Sequence, residues 1–349
     1  MPSIKTRLTE RLGLQTPIIS APMAFATTPE MVVAVTKAGG FGTFSAAFDS
    51  TEVINQNIQR IRELLEIAQG ETVPIAIGFG GWILDMTEVS DDPRLEATLD
   101  ERPAAIWLSF GEFGKYIRQI REHDERTARG WETFIFAQVG CLEDALRYAP
   151  EVDCLVLQGI EAGGHGRADA PPLLTLLQAV MNSLPEDNPN KPLLVAAGGI
   201  TTGAQIAGLL TMGAAGVAIG TRFLFTPESR YAQVANSREA LLAAGLNGTV
   251  RTLAYNDVAR VARGWPPHYD GRAIRNAVMD DFEAGLSVEE RLARFDAGQA
   301  AGEAARIVVW AGIGAGLVED IRPTEQVLKE LHEGAVEHLH ASVNFVVNA

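Results

Sequence analysis

Eight short apolar runs punctuate the first two-thirds of the chain: PIISAPM (17–23), FGTFSA (41–46), VPIAIGF (73–79), AAIWLSF (104–110), TFIFAQV (133–139), CLVLQG (154–159), LLVAAGG (193–199) and GVAIGTRFL (216–224). Most are apolar at every position rather than at every second one, the pattern of strands buried on both faces. Helical stretches separate them, among them PEMVVAVTKAGG, TEVINQNIQRIRELLEIAQG and TGAQIAGLLTMGA. The first of these starts with Pro29 in its first turn and ends at Gly39-Gly40, as helix signals require. The third connection, DDPRLEATLDERP, is the least regular. Eight strands alternating with helices predict an α/β protein with a closed (β/α)8 TIM barrel; an open doubly wound sheet is the rival.

After Phe225 this rhythm stops. Residues 226–302 hold helical stretches and the turn-rich NGTVRTLAYNDVARVARGWPPHYDG, with no βαβ unit. The expected organisation is therefore a barrel over 1–225 and a smaller, mainly helical lid subdomain over 226–302. A return segment and C-terminal helix, 303–349, would then pack on the barrel. Lids of this kind exclude water from a site.

Composition narrows the function classes. The chain has 349 residues, is 47% hydrophobic and carries a formal net charge of −15, which disfavours binding to nucleic acid or anionic membranes. No apolar run approaches the roughly 20 residues of a membrane helix. The N-terminal stretch mixes Lys5, Arg7 and Arg11 with Glu10, unlike a signal peptide. The two cysteines, Cys141 and Cys154, form no CxxC pair. A cytoplasmic protein without structural disulfides or a zinc site is expected. Oligomeric state is not legible.

Candidate chemistry gathers where the strands end, as in barrels generally. Gly198-Gly199 closes the seventh run and Gly220-Thr221 lies late in the eighth, the usual place for a phosphate cradle of backbone N–H groups. Tight strand-to-helix turns would use the same glycines. One strand earlier, QGIEAGGHGR sets His165 among Gly163, Gly164 and their neighbours. That loop gives up side chains so that the backbone can approach something closely. Ala21-Pro22-Met23-Ala24 closes the first strand with small residues that let the chain lie flat against a planar ligand. Gln158 both donates and accepts, as the edge of a flavin-like heterocycle would need. GIGAG (312–316) has GxGxG spacing rather than the dinucleotide-binding GxGxxG, so a close-packed loop is expected there. His332, His338 and His340 suggest a solvated C-terminal helix rather than a metal site.

Taken together, PIISAPMA, QGIEAGGHGR, VAAGGI, GVAIGTRF and VVWAGIGAGLVEDI resemble the nitronate monooxygenase family, formerly the 2-nitropropane dioxygenases. The order and spacing match over almost the whole chain. The resemblance implies an FMN-dependent oxidoreductase that uses dioxygen to convert small-molecule alkyl nitronates, or nitroalkanes, into a carbonyl compound and nitrite. It implies that Ala21, Pro22 and Met23 face the isoalloxazine ring, that Gln158 hydrogen-bonds it, and that Gly163 and Gly164 line it. Gly198, Gly199, Gly220 and Thr221 would hold the phosphate, and His165 would be the catalytic histidine. One departure stands out. Many members carry an asparagine near the end of the third strand, where this chain has Gly78 and Phe79, so that a backbone group at Gly78 would make the contact. Relatives sharing the flavin pocket include NADH:quinone reductases and an enoyl-thioester reductase, the alternative function. A non-catalytic FMN-binding protein is the third reading.

Overall fold

A computed structural model describes residues 2–185, 191–259 and 264–343. Eight parallel strands form the barrel: β1 (Ile18–Ser20), β2 (Gly42–Ser45), β3 (Val73–Gly80), β4 (Pro103–Ser109), β5 (Phe134–Val139), β6 (Cys154–Gln158), β8 (Leu193–Ala197) and β9 (Gly216–Ile219). The neighbour order is β1-β9-β8-β6-β5-β4-β3-β2. A parallel bridge between Ile19 and Phe41 closes the ring, with the Ser20 N–H donating to the Phe41 carbonyl at 3.0 Å. The doubly wound alternative is thereby excluded.

The continuous apolar runs follow from this closure. In each strand one set of side chains faces the enclosing helices and the alternate set fills the barrel interior. Ile75, Ile77, Ile106, Leu108, Ile135, Leu155 and Leu157 belong to the outer core. Ala76, Ala105, Trp107, Phe134, Phe136, Cys154 and Val156 belong to the inner one. Leu8, on the N-terminal helix Arg7–Leu12, joins the inner cluster. Helix boundaries follow local signals. Thr28 caps Pro29–Lys37 by accepting from the Met31 N–H at 3.1 Å, with Pro29 in the first turn. The irregular third connection resolves into two short helices, Gly81–Thr87 and Leu95–Asp100.

Three strands lie outside the barrel. The loop after β6 contains β7 (Gly164–Arg167), which pairs antiparallel with β11 (Tyr269–Ile274), and β11 pairs with β10 (Thr249–Thr252). Besides the helices Arg230–Gln233, Ala235–Leu242, Ala254–Val258, Ala277–Glu283 and Val288–Ala301, the 226–302 segment thus contributes a small sheet. Its middle strand grips the glycine loop of the barrel. The register sets Gly271 opposite His165 and Arg272 opposite Gly164.

The C-terminal helix Thr324–Ser342 packs against Gly203–Thr211 and Pro29–Lys37. This corrects the expectation of a solvated helix. His332 is buried, its Nε2 lying 2.6 Å from the Pro2 carbonyl. Apolar Val327, Leu328, Leu331 and Ala335 share the buried face with it.

Candidate active site

The residues singled out in the sequence converge. One cavity over the carboxyl ends of the barrel strands is lined by Ala21, Pro22 and Met23 after β1 and by Gly78 late in β3. It is also lined by Gln158, Gly163, Gly164 and His165 around the β6–β7 loop, and by Gly198, Gly199, Gly220 and Thr221 after β8 and β9. No cysteine lines it; both are free thiols away from the site.

The glycines are needed by close approaches. A Cβ on Gly163 would sit 2.2 Å from the Gly312 nitrogen, so the β6–β7 loop and the GIGAG segment touch backbone to backbone. The Gly312 N–H donates to Thr221 Oγ1 at 2.9 Å and the Ile313 N–H to the Glu161 carbonyl at 3.2 Å. GIGAG is a short 3-10 turn, Ile313–Leu317, in a packed loop. On the opposite wall a Cβ on Gly78 would lie 2.6 Å from Pro22 Cβ. Absence of a side chain there is what lets the Pro22 turn reach over the barrel mouth. Gly198 and Gly199 have φ of 123° and 71°, conformations that L side chains rarely adopt. Glu161, part of the motif, turns away from the cavity. Its carboxylate accepts from the Leu173 N–H at 3.0 and 3.1 Å and so caps the next helix, where a negative charge is favourable.

His165 is held tightly. Its ring stacks on Trp265 with centroids 3.8 Å apart and planes 4° from parallel, and Trp310 lies 4.6 Å away at 50°. Asn256, buried on the short helix Ala254–Val258, places Oδ1 3.2 Å from Nε2. With the amide oriented this way the imidazole donates from Nε2, leaving Nδ1 as the acceptor. Burial pushes the His165 pKa down to about 3, the hydrogen bond to Asn256 opposes this, and the Arg251 charge adds to it. Among the described residues no carboxylate hydrogen-bonds the ring, and burial between the two tryptophans keeps it neutral.

Two glutamine amides line the cavity. Gln158 Nε2 donates to the His165 carbonyl at 3.1 Å, tying the end of β6 to the loop. Gln138, near the end of β5, accepts from Trp107 Nε1 at 3.1 Å and also lines the cavity. Sequence reasoning missed Gln138, although a polar residue ending the apolar run TFIFAQV is the same signal that drew attention to Gln158. It also missed Asn256, Trp265 and Trp310. Nothing local in the sequence joins them to His165.

Fold and site define a (β/α)8 barrel with a glycine-floored cavity at the strand ends, the place where barrel enzymes carry out chemistry. The family model for nitronate monooxygenase matches residues 5–69 and 82–334, and the chain belongs to that family. The unmatched stretch, 70–81, contains the whole of β3, Gly78 included. Similar proteins include nitronate monooxygenase npaC of Metarhizium robertsii, 33% identical over 338 residues with 91% of this chain and 90% of that one covered. Nitronate monooxygenase of Neurospora crassa is 31% identical over 345 residues, covering 92% and 89%. Among solved structures, FabK from Thermotoga maritima shares the fold at a TM-score of 0.76 and 23% identity, covering 99% of this chain and all of that one. The protein is an oxidoreductase that oxidises nitronates.

Proposed function

We propose that the cavity binds FMN, that dioxygen is the final electron acceptor, and that nitronates, rather than neutral nitroalkanes, are the substrates at neutral pH. The observation that carries this is a cavity with a bare glycine floor, an uncharged donor set and a neutral histidine on one wall. The residues present fit the cofactor. Hydrogen bonds among the described residues leave the N–H groups of Gly199 and Gly220 unused. With the Thr221 hydroxyl, which already accepts from Gly312, they supply donors suited to a phosphate. Ala21, Pro22 and Met23 with Gly78 offer a flat wall for the ring, and the free NH2 of Gln138 offers a donor to its edge. Gly163 and Gly164 would line it. In Gln158, the amide nitrogen is committed to the His165 carbonyl, which leaves its oxygen for a ring N–H. FMN bound there supplies an electron acceptor for the nitronate that dioxygen can regenerate.

His165 governs which form of the substrate reacts. A base whose pKa is about 3 removes the α-proton of a neutral nitroalkane poorly. A nitronate has already lost that proton. Bound beside Nδ1, its negative charge raises the imidazole's affinity for a proton, increasing the share of protonated ring that can donate to and orient the nitronate oxygens. Trp265 and Trp310 keep water from the ring. The 226–302 segment would act as a lid by supplying Asn256 and Trp265 to the histidine.

The test is direct. Purified protein should be yellow, and its released cofactor should have the mass of FMN. Adding ethylnitronate should start oxygen uptake and nitrite release together, without NAD(P)H. A protein that is colourless and cannot be reconstituted, or one that releases FAD, contradicts the reading.

A further inference from the structure

The outer half of the cavity has a chemistry that the glycine floor does not explain. Aromatic rings run without a break from the histidine to the surface. Trp265, stacked on His165, lies 5.3 Å from Trp82 between centroids. Trp82 is 6.0 Å from Phe48, and Phe48 is stacked on Phe25 at 5.8 Å and 9°. Phe110 meets Trp265 edge-on at 4.9 Å. Phe25 ends the series at 43% exposure. Both Phe25 and Phe110 have left-handed backbone, φ 64° and 56°, which is uncommon for bulky residues and is retained where the surroundings over-determine it.

Charge is missing from the same surface. Among the described residues, no Asp, Glu, Lys or Arg lines the cavity. The two cations beside the histidine loop, Arg251 and Arg167, are already engaged. Arg251 pairs with Asp270 at 2.5 Å, and Arg167 pairs with Asp169 at 2.9 Å and Asp144 at 3.4 Å. A substrate carboxylate entering this gallery would lose water and gain no charged partner among the lining residues, which is unfavourable. An apolar or aromatic body would lose only ordered water and gain offset or edge contacts with rings.

We infer that this site selects nitronates whose body is uncharged and extended, an aryl group or an alkyl chain of several carbons, and discriminates against nitronates bearing a carboxylate. The inference rests on the reading that the cavity oxidises nitronates. It adds the substrate class. With the nitronate head beside His165, the body lies along the lining rings of Trp265, Phe110 and Phe48 towards Phe25.

The experiment uses the flavin-loaded protein and five nitronates, prepared from nitroethane, 1-nitropropane, 1-nitrohexane, phenylnitromethane and 3-nitropropionate. Oxygen uptake gives kcat/KM for each. Quenching of tryptophan fluorescence by the parent nitro compounds gives binding without turnover. The hexyl and phenyl nitronates should exceed ethylnitronate by roughly tenfold or more, as full burial of such a body implies. The 3-nitropropionate nitronate should fall below its uncharged counterpart from 1-nitropropane by a similar factor, and the parent compounds should bind in the same order. Phe25→Lys should shift both rankings towards the carboxylate; Phe48→Lys serves if the first variant loses its flavin. Ethylnitronate separates the two levels of the account. If it is not oxidised, the functional reading fails, and the order of binding alone decides the inference. If it is oxidised but the carboxylate substrate matches or exceeds the 1-nitropropane product, or the longer bodies bring no gain, the selectivity is overturned while the reading stands.

Discussion

In the proposed function His165 carries most of the site's chemistry, and its burial and its amide partner act in opposite senses. The tryptophans and burial push it towards the neutral form, whereas Asn256 pulls weakly the other way. Replacing the amide by a carboxylate places a charge about 3 Å from Nε2, which raises a histidine pKa by roughly 1–3 units. Asn256→Asp should therefore gain activity on neutral nitroethane, with a pH–rate limb moved upward relative to the parent; an unchanged nitroalkane rate would refute the assigned role of Asn256. His165→Asn, with flavin content matched, should lower kcat/KM for nitronates by roughly 10²-fold, the low end of acid–base contributions. Retention of near wild-type rates would reduce the histidine to a loop anchor. Stability offers an independent readout. The folded-state pKa of about 3 lies below the unfolded value of roughly 6.5, so the unfolded chain binds the extra proton. The contribution of the neutral ring is complete above about pH 6.5 and is lost as pH falls towards about 3. Denaturant titrations of flavin-free protein between about pH 6.5 and 4.5 should show stability declining with acid, and less steeply in His165→Asn. An equal slope in both proteins would place the proton elsewhere.

The small sheet of β7, β11 and β10 is the element that makes these contacts possible. Gly271 sits opposite His165 in the register, and a Cβ there would lie 2.3 Å from the Trp310 ring. Gly271→Ala should displace Trp310 or spread β7 from β11, at a cost of roughly 1–3 kcal/mol for overpacking. Turnover should fall while the far-ultraviolet circular dichroism of the barrel is preserved. Full activity would show that the register between the 226–302 segment and the glycine loop is not needed. This sheet also marks where sequence reasoning reached its end. The barrel strands were legible because burial on both faces writes apolar runs such as CLVLQ and LLVAA. Gly164–Arg167 has no such run: two glycines, a histidine and an arginine form a strand because β11 supplies the edge. The pairing spans more than a hundred residues, and no local pattern encodes it. For the same reason Asn256 and Trp265 were not legible, while glycines such as Gly163, Gly198 and Gly220, whose need is local, stand out at the strand ends and line the cavity. His332 erred in the opposite direction, since its burial depends on the Pro2 carbonyl at the other end of the chain.

As a whole, the molecule divides its labour between a rigid ring of strands and an asymmetric cover. The barrel provides a floor rich in glycine, and the 226–302 segment provides Asn256 and Trp265 to His165, with Trp310 supplied from the segment after it. No helix among the described residues is long and apolar enough to cross a membrane. An uncharged cavity of this kind would also admit a quinone, so the direction in which electrons enter decides between the two uses of the barrel. The measurement is anaerobic rapid mixing of the purified, flavin-containing protein with ethylnitronate or with NADH, following the flavin absorbance. The account predicts prompt bleaching by ethylnitronate, little change with NADH, and recovery of the yellow spectrum with nitrite in solution once air is admitted. Rapid bleaching by NADH and none by the nitronate would contradict it.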